Sequence, residues 1–140
     1  MTTIHLHSDG GARGNPGPAA IGVVLEEEEV DGRLVPLEDI AEVIGVATNN
    51  VAEYRALIRG LEAARRRGAD VVRAYLDSQL VVEQMNGRYA VKHVDMKPLH
   101  AHARELAATF ASVTFTHVPR AQNAGADRLV NQALDATAGA

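Results

Sequence analysis

Asp9, Glu53, Asp77 and Asp127 each stand where a strand gives way to a turn or where a helix begins. Four carboxylates gathered at one point repel one another and raise each other's pKa unless a divalent cation neutralises them. The chain has no cysteine, so an all-oxygen ligand set favours Mg²⁺ or Mn²⁺. Two such ions are a phosphoryl-transfer device, one activating an attacking water and the other stabilising the leaving oxygen. Each acid also has a plainer reading. Asp9 could be a turn residue ahead of Gly10 and Gly11, and Glu53, three residues after Asn50, could complete a capping box. Asp77 could cap a helix starting at Ser78 or Gln79, and Asp127 could complement a helix dipole. Only a shared sheet edge accounts for all four together.

Those acids need elements to position them. "TTIHLHSD" alternates Ile4, Leu6 and Ser8 against Thr3, His5, His7 and Asp9, the period of a half-buried strand ending at Asp9. The following "SDGGARGNPG" resembles a phosphate-cradling loop, but such loops need a helix straight after the glycines. Here Pro16, Pro18 and the β-branched "AAIGVVLEEEE" follow, so a carboxylate-presenting turn and a second strand are expected. A hairpin turning at Asp31 and Gly32 leads to a third strand over roughly Ile40 to Ala47. From Thr48 the spacing of Val51, Tyr54, Leu57, Ile58, Leu61 and Ala64 is helical, closed by Gly68.

"DVVRAYLD" is a short strand ending at Asp77, and "SQLVVEQMNG" a short helix. A helix follows Pro98 to about Thr109, "SVTFTHVP" is the fifth strand, and "NAGADRLVNQALDATA" a final amphipathic helix. This order predicts an α/β fold: a mixed five-stranded sheet, three antiparallel strands and then two parallel, with helices on both faces. If strands one and four are neighbours, Asp9 and Asp77 emerge at the same edge, where open α/β sheets carry their sites.

At 140 residues the chain fits one domain, expected over residues 1–136, with 137–140 a flexible tail or the start of a linker. The absence of cysteine suits a reducing, cytoplasmic setting, and no apolar run approaches the roughly 20 residues of a membrane span. A net charge of −4 counts against a nucleic-acid partner taken alone. Net charge is not distribution, however: the acids are dense in "EEEEVDG", while Arg65, Arg66 and Arg67 sit together elsewhere.

Four segments in order, "SDGGARGNPGPAAIG", "ATNNVAEYRALIRGLEAA", "YLDSQLVVEQMNG" and "HVPRAQNAGADRLVNQA", resemble type 1 ribonuclease H over nearly the whole chain. The resemblance implies a ribonuclease H-like fold and endonucleolytic cleavage of the RNA strand of RNA–DNA hybrids. It places Asp9, Glu53, Asp77 and Asp127 on the family's metal-binding carboxylate positions, holding two Mg²⁺ or Mn²⁺ ions with substrate. It also puts Asn15, Asn49 and Gln79 on positions that touch the hybrid's minor groove, and Thr48 and Asn50 on the motif that holds the DNA strand. Short amides suit ribose 2′-OH groups and minor-groove edges, although "TNN" would also serve as a helix cap.

The match has departures. Where many bacterial relatives have a histidine on a mobile loop, Arg120 follows Pro119 in a loop and resembles the archaeal-type variant. His117, expected within strand five, reads as a strand histidine, which leaves the accessory group open between the two. "NGRYAVKHVDMKP" is short where some relatives carry a basic handle; Arg88, Lys92, His93 and Lys97 are a thin substitute, so affinity should be modest and salt-dependent. "HLHSD" could be a metal triad of His5, His7 and Asp9, but strand residues packed or partly exposed explain both imidazoles more simply. His100 and His102, two apart on a helix, do not share a face. A non-catalytic RNA- or hybrid-binding module on the same fold is the rival reading, with a general single-strand nuclease a third. A monomer is expected, with no membrane partner and with room for a fused C-terminal domain as in some relatives.

Overall fold

A computed structural model describes residues 1–138; the last two residues of the expected tail lie outside the described residues. The strands are β1 (Thr3–Ala12), β2 (Gly17–Glu28), β3 (Leu34–Ala47), β4 (Val71–Leu76) and β5 (Ser112–His117). The helices are α1 (Asn49–Arg66), α2 (Gln79–Met85), α3 (Lys97–Ala107) and α4 (Ala124–Ala138), with a 3₁₀ turn at Arg120–Asn123 before α4. The five strands form one sheet in the order β3-β2-β1-β4-β5. β1, β2 and β3 pair antiparallel, and β4 joins β1 and β5 in parallel. This is the topology expected from the sequence.

Strand alternation sorts β1 onto two faces. Ile4 and Leu6 are fully buried in the larger core beneath α1, α2 and α3, with Tyr54, Leu57, Leu61, Leu76 and Met85. A smaller core of Ala20, Val130 and Leu134 lies under α4 on the other face. Two glycines set how closely helices approach the central strands. A Cβ on Gly10 would lie 2.2 Å from the Ala52 carbonyl of α1, and one on Gly22 would lie 2.2 Å from the Ala126 oxygen of α4. Because Gly22 is paired with Asp9, both helices are drawn in at the level of Asp9. The glycines serve packing.

Two strands outrun their expected limits. β1 does not end at Asp9 but continues to Ala12, because β2 pairs with it as far as Ala12↔Ala19. Its parallel pairing with β4 stops at Ser8↔Leu76, so Asp9 is an end residue only with respect to β4. β3 starts at Leu34, six residues before Ile40. Pro36 interrupts the sequence pattern there, but β3 is an edge strand and its register shift lies beside the Glu26↔Pro36 pair, both settings that accept proline. α4 runs through Ala138, past the expected boundary at residue 136.

Candidate active site

The site starts with two buried acids. Asp9 and Glu53 are 6% and 7% exposed, far below what unpaired carboxylates ordinarily accept. Beyond Ser8 the β1 backbone has no β4 neighbour, and the Gly10 N–H donates to Glu53 Oε1 at 2.7 Å. Glu53 Oε2 is buried without a hydrogen-bond partner of its own; the Asp9 carboxylate can serve as one only when a proton sits between them. Burial drives the Asp9 carboxyl up to about 7, opposed by that shared hydrogen bond and reinforced by the charges of Asp77 and Asp127. Burial likewise holds Glu53 well above the usual carboxylate range, with Asp9 adding to the effect and the Gly10 N–H opposing it.

Asp77 follows β4 and completes the group. Carboxylate oxygens of Asp9, Glu53 and Asp77 all lie within 4.8 Å of one another. This is an oxygen donor set for a hard divalent cation, and the orphaned buried oxygen of Glu53 is what such an ion would satisfy. Asp127, in the first turn of α4, is not within that tight group but lines the same open cavity of about 510 Å³. Its Oδ1 accepts from Arg120 at 3.0 Å, and that contact holds the guanidinium pKa above its ordinary value. Asn131, one helical turn on, donates to the Asp127 carbonyl at 3.1 Å.

The plainer roles of three acids pass to neighbours. Thr48 caps α1, its hydroxyl accepting from Val51 N, so Glu53 forms no capping box with Asn50 and turns to β1. Ser78 caps α2 by accepting from Val81 N, so Asp77 is not the cap and its carboxylate is free for the cluster. Asp9 lies inside a strand, not in a turn.

The residues expected to touch substrate surround this centre unevenly. Asn49 and Asn50 line the cavity; Asn15, Thr48 and Gln79 lie outside its lining. Asn15 Oδ1 accepts from Asn49 N at 3.0 Å, and Asn49 Oδ1 accepts from Ala12 N at 2.9 Å. The turn is thereby tied to the start of α1. Arg120 opens the 3₁₀ turn, which replaces the expected irregular loop. His117 is the last residue of β5 and not a mid-strand residue; it lines the cavity beside Asp77 and Arg120.

The sequence reading missed Asn123, which is 1% exposed. Its amide donates to the Ser8 carbonyl at 2.9 Å and its oxygen meets His7 Nδ1 at 3.2 Å, fixing the 3₁₀ turn to β1 next to Asp9. The one available signal was an amide one helical turn before Asp127. His5 and His7 form no triad with Asp9: His5 meets Glu28 at 2.8 Å, and both rings stack on Tyr75. His100 contacts the Gln84 carbonyl, away from the cavity. Arg88 is engaged by Glu83, which leaves the thin substitute for a basic handle thinner still; in the separate arginine run at the end of α1, Arg67 is engaged by Glu38.

Residues 7–133 match the family model described as reverse transcriptase-like. The chain is 48% identical over 135 residues to the bifunctional protein Rv2228c of Mycobacterium tuberculosis, covering 96% of this chain but 36% of that protein. The solved N-terminal RNase H domain of the same protein superposes with a TM-score of 0.92 at 47% identity, covering 99% and 98% of the two chains. Ribonuclease HI of Halobacterium salinarum is 47% identical over 132 residues, 94% of this chain and 64% of that protein. The structure of LC11-RNase H1 in complex with RNA/DNA hybrid gives a TM-score of 0.84 at 42% identity, covering 98% and 99%. Fold, ordered motifs and these likenesses agree: the chain belongs to the type 1 ribonuclease H family.

Proposed function

We propose that this chain is a metal-dependent endoribonuclease that hydrolyses the RNA strand of RNA–DNA hybrids. The observation that carries the reading is the triad of Asp9, Glu53 and Asp77 oxygens within 4.8 Å, two of the acids buried and one oxygen without a partner. A binding module would have no reason to keep a repulsive buried cluster, and this disfavours the rival reading. LC11-RNase H1, a relative solved in complex with RNA/DNA hybrid, supports the choice of substrate.

Asp9, Glu53, Asp77 and Asp127 would hold two Mg²⁺ or Mn²⁺ ions when substrate is bound. Bound there, the ions would supply the charge that activates the attacking water and stabilises the leaving oxygen. The protein's own work is positioning. Close approach at Gly10 and Gly22 sets the acids from α1 and α4 around β1, and the Gly10 N–H orients Glu53. Asn15, Asn49 and Gln79 would read the minor groove through ribose hydroxyls, while Thr48 and Asn50 hold the DNA strand. Arg120, on the cavity wall, would neutralise the cleaved phosphate, since a guanidinium stays cationic and cannot act as a titrating base.

A cytoplasmic monomer is the setting proposed; no helix among the described residues is long and apolar enough to cross a membrane. The chain spans 36% of the mycobacterial protein's length, which leaves room for a fused domain in a longer protein. The test is a labelled hybrid offered with Mg²⁺, with Mn²⁺ and with chelator, beside single-stranded RNA and duplex DNA. Metal-dependent cutting within the RNA of the hybrid alone is expected. Cutting of single-stranded RNA at the same rate, or hybrid binding without cutting in either metal, would refute the proposal.

A further inference from the structure

Two guanidinium groups line the carboxylate cavity, Arg13 and Arg120, and they arrive from different elements. Arg120 is paired with Asp127. Arg13 sits in the turn between β1 and β2, and its side chain pairs with Asp135 of α4. We propose that Arg13 is a substrate-positioning residue that exchanges Asp135 for a phosphate of the RNA strand next to the one that is cut. The inference rests on the reading of the cavity as the hybrid-cleaving site.

The turn does not need this side chain. Its path is fixed by backbone and amides: Arg13 N donates to Pro18 O at 2.8 Å, Ala12 N to Asn49 Oδ1 and Asn49 N to Asn15 Oδ1. Arg13 therefore leaves the chain between two points that are pinned to α1, and its backbone position is set independently of its charge. The partner contact is one that water weakens, because the side chains are 43% and 69% exposed and ion pairs so exposed hold little. Asp135 is not itself among the cavity-lining residues, whereas Arg13 is. A phosphodiester entering between the turn and α4 presents paired oxygens that fit the guanidinium fork at least as well as a carboxylate does. The cavity also needs such a group: four acids line it, and fixed cations on its rim would help to draw a polyanion towards them.

The deciding experiment measures KM, kcat and their salt dependence on an RNA–DNA hybrid in Mg²⁺, with thermal midpoints, for wild type, Arg13→Ala and Asp135→Asn. Arg13→Ala is expected to raise KM roughly tenfold, as for one lost charge-assisted contact, with kcat little changed and the log–log salt slope shallower by about one. Asp135→Asn frees the guanidinium, so its KM should stay level or fall, opposite in sign to the loss of its partner. Placing uncharged methylphosphonates singly along each strand in turn should reveal one position, in the RNA strand beside the cut, where the wild type loses affinity and Arg13→Ala loses nothing more.

If the two variants lower the thermal midpoint alike and leave KM and its salt slope unmoved, Arg13 is a structural tie and the inference is wrong. If the sensitive methylphosphonate lies only in the DNA strand, the assignment to the RNA strand is wrong. A wild type that does not cut the hybrid would overturn the proposed function, and this inference with it; a wild type that cuts while Arg13→Ala behaves identically overturns this inference alone.

Discussion

Glu53 and Tyr54 are consecutive residues of α1, both buried, and their polar atoms meet opposite fates. The Tyr54 hydroxyl donates to Gln84 Oε1 at 2.6 Å, and Gln84 Nε2 donates to the Ala90 carbonyl at 3.3 Å, so that network is closed. Glu53 leaves Oε2 without a partner and faces Asp9. One helix thus carries a satisfied buried polar group, which specifies packing, beside an unsatisfied one, which strains the apo protein. Native structures satisfy buried polar groups wherever function does not require otherwise, so the contrast supports the proposed placing of the site at Glu53 and its neighbours.

The comparison can be broken most sharply at the acids. Asp9→Asn or Asp77→Asn should eliminate measurable cleavage of a hybrid while circular dichroism stays unchanged. For Asp9→Asn the metal-free thermal midpoint at pH 8 should rise by a few degrees, since roughly 1 kcal/mol of relieved repulsion moves a domain of this size by about that much. A variant that cuts at near the wild-type rate, or whose inactivity tracks lost helicity, would remove the distinction between the two regions.

Tyr54→Phe should do the reverse. It strips the donor from Gln84 Oε1 and should cost about 1–2 kcal/mol in urea unfolding, with turnover per folded molecule unchanged. A large activity loss at full stability would show that the closed network also belongs to the site.

On the cavity wall, Arg120→Ala should lower turnover by one to two powers of ten, as for one charge-stabilising contact. Expected from sequence to lie within strand five, His117 instead ends β5 exposed in the cavity. His117→Ala should therefore shift stability by no more than about 0.5 kcal/mol and slow turnover less than Arg120→Ala does. Paired kinetics and melts of the two variants decide this; normal cutting by Arg120→Ala with crippled His117→Ala would reverse the roles.

The last expected effect is a slope. The folded pKa of Asp9 is raised to about 7 from an unfolded value of about 3.9, and that of Glu53 is raised also. A raised folded pKa means that the native state keeps protons the unfolded state releases. The associated stability is fully present below about pH 4 and is lost as pH rises through about 7 for Asp9. Thermal midpoints of metal-free protein should decline across that window relative to Asp9→Asn. Saturating Mg²⁺ should flatten the decline, whereas parallel wild-type and variant curves would contradict it.

Much of this was legible in the sequence because period and order report on elements. The alternation around Ile4 and Leu6, the helical spacing from Val51 to Ala64 and the strand–helix order gave the sheet, and the ordered motifs gave the acids. The division of labour among neighbours was not legible. Thr48, Asn49 and Asn50 all make acceptable caps, as do Asp77 and Ser78, and only the path of the chain decides which side chain is left free. The run of β1 past Asp9 depends on β2 continuing where β4 stops, a non-local fact. Asn123 was invisible for the same reason: its partner lies 115 residues away at Ser8.

Proton release on binding of Mn²⁺ tests the cluster most directly. The rise of the Asp9 pKa to about 7, with the upward shift of its partner Glu53, favours a proton held by this pair in the metal-free protein near neutral pH, and a divalent cation must displace it. Calorimetric titration in buffers of different ionisation enthalpy should find roughly one proton released per ion by the wild type, and clearly less by Asp9→Asn. Binding without proton release, or equal release by both proteins, would contradict the reading of Asp9, Glu53 and Asp77 as a strained, cation-requiring centre.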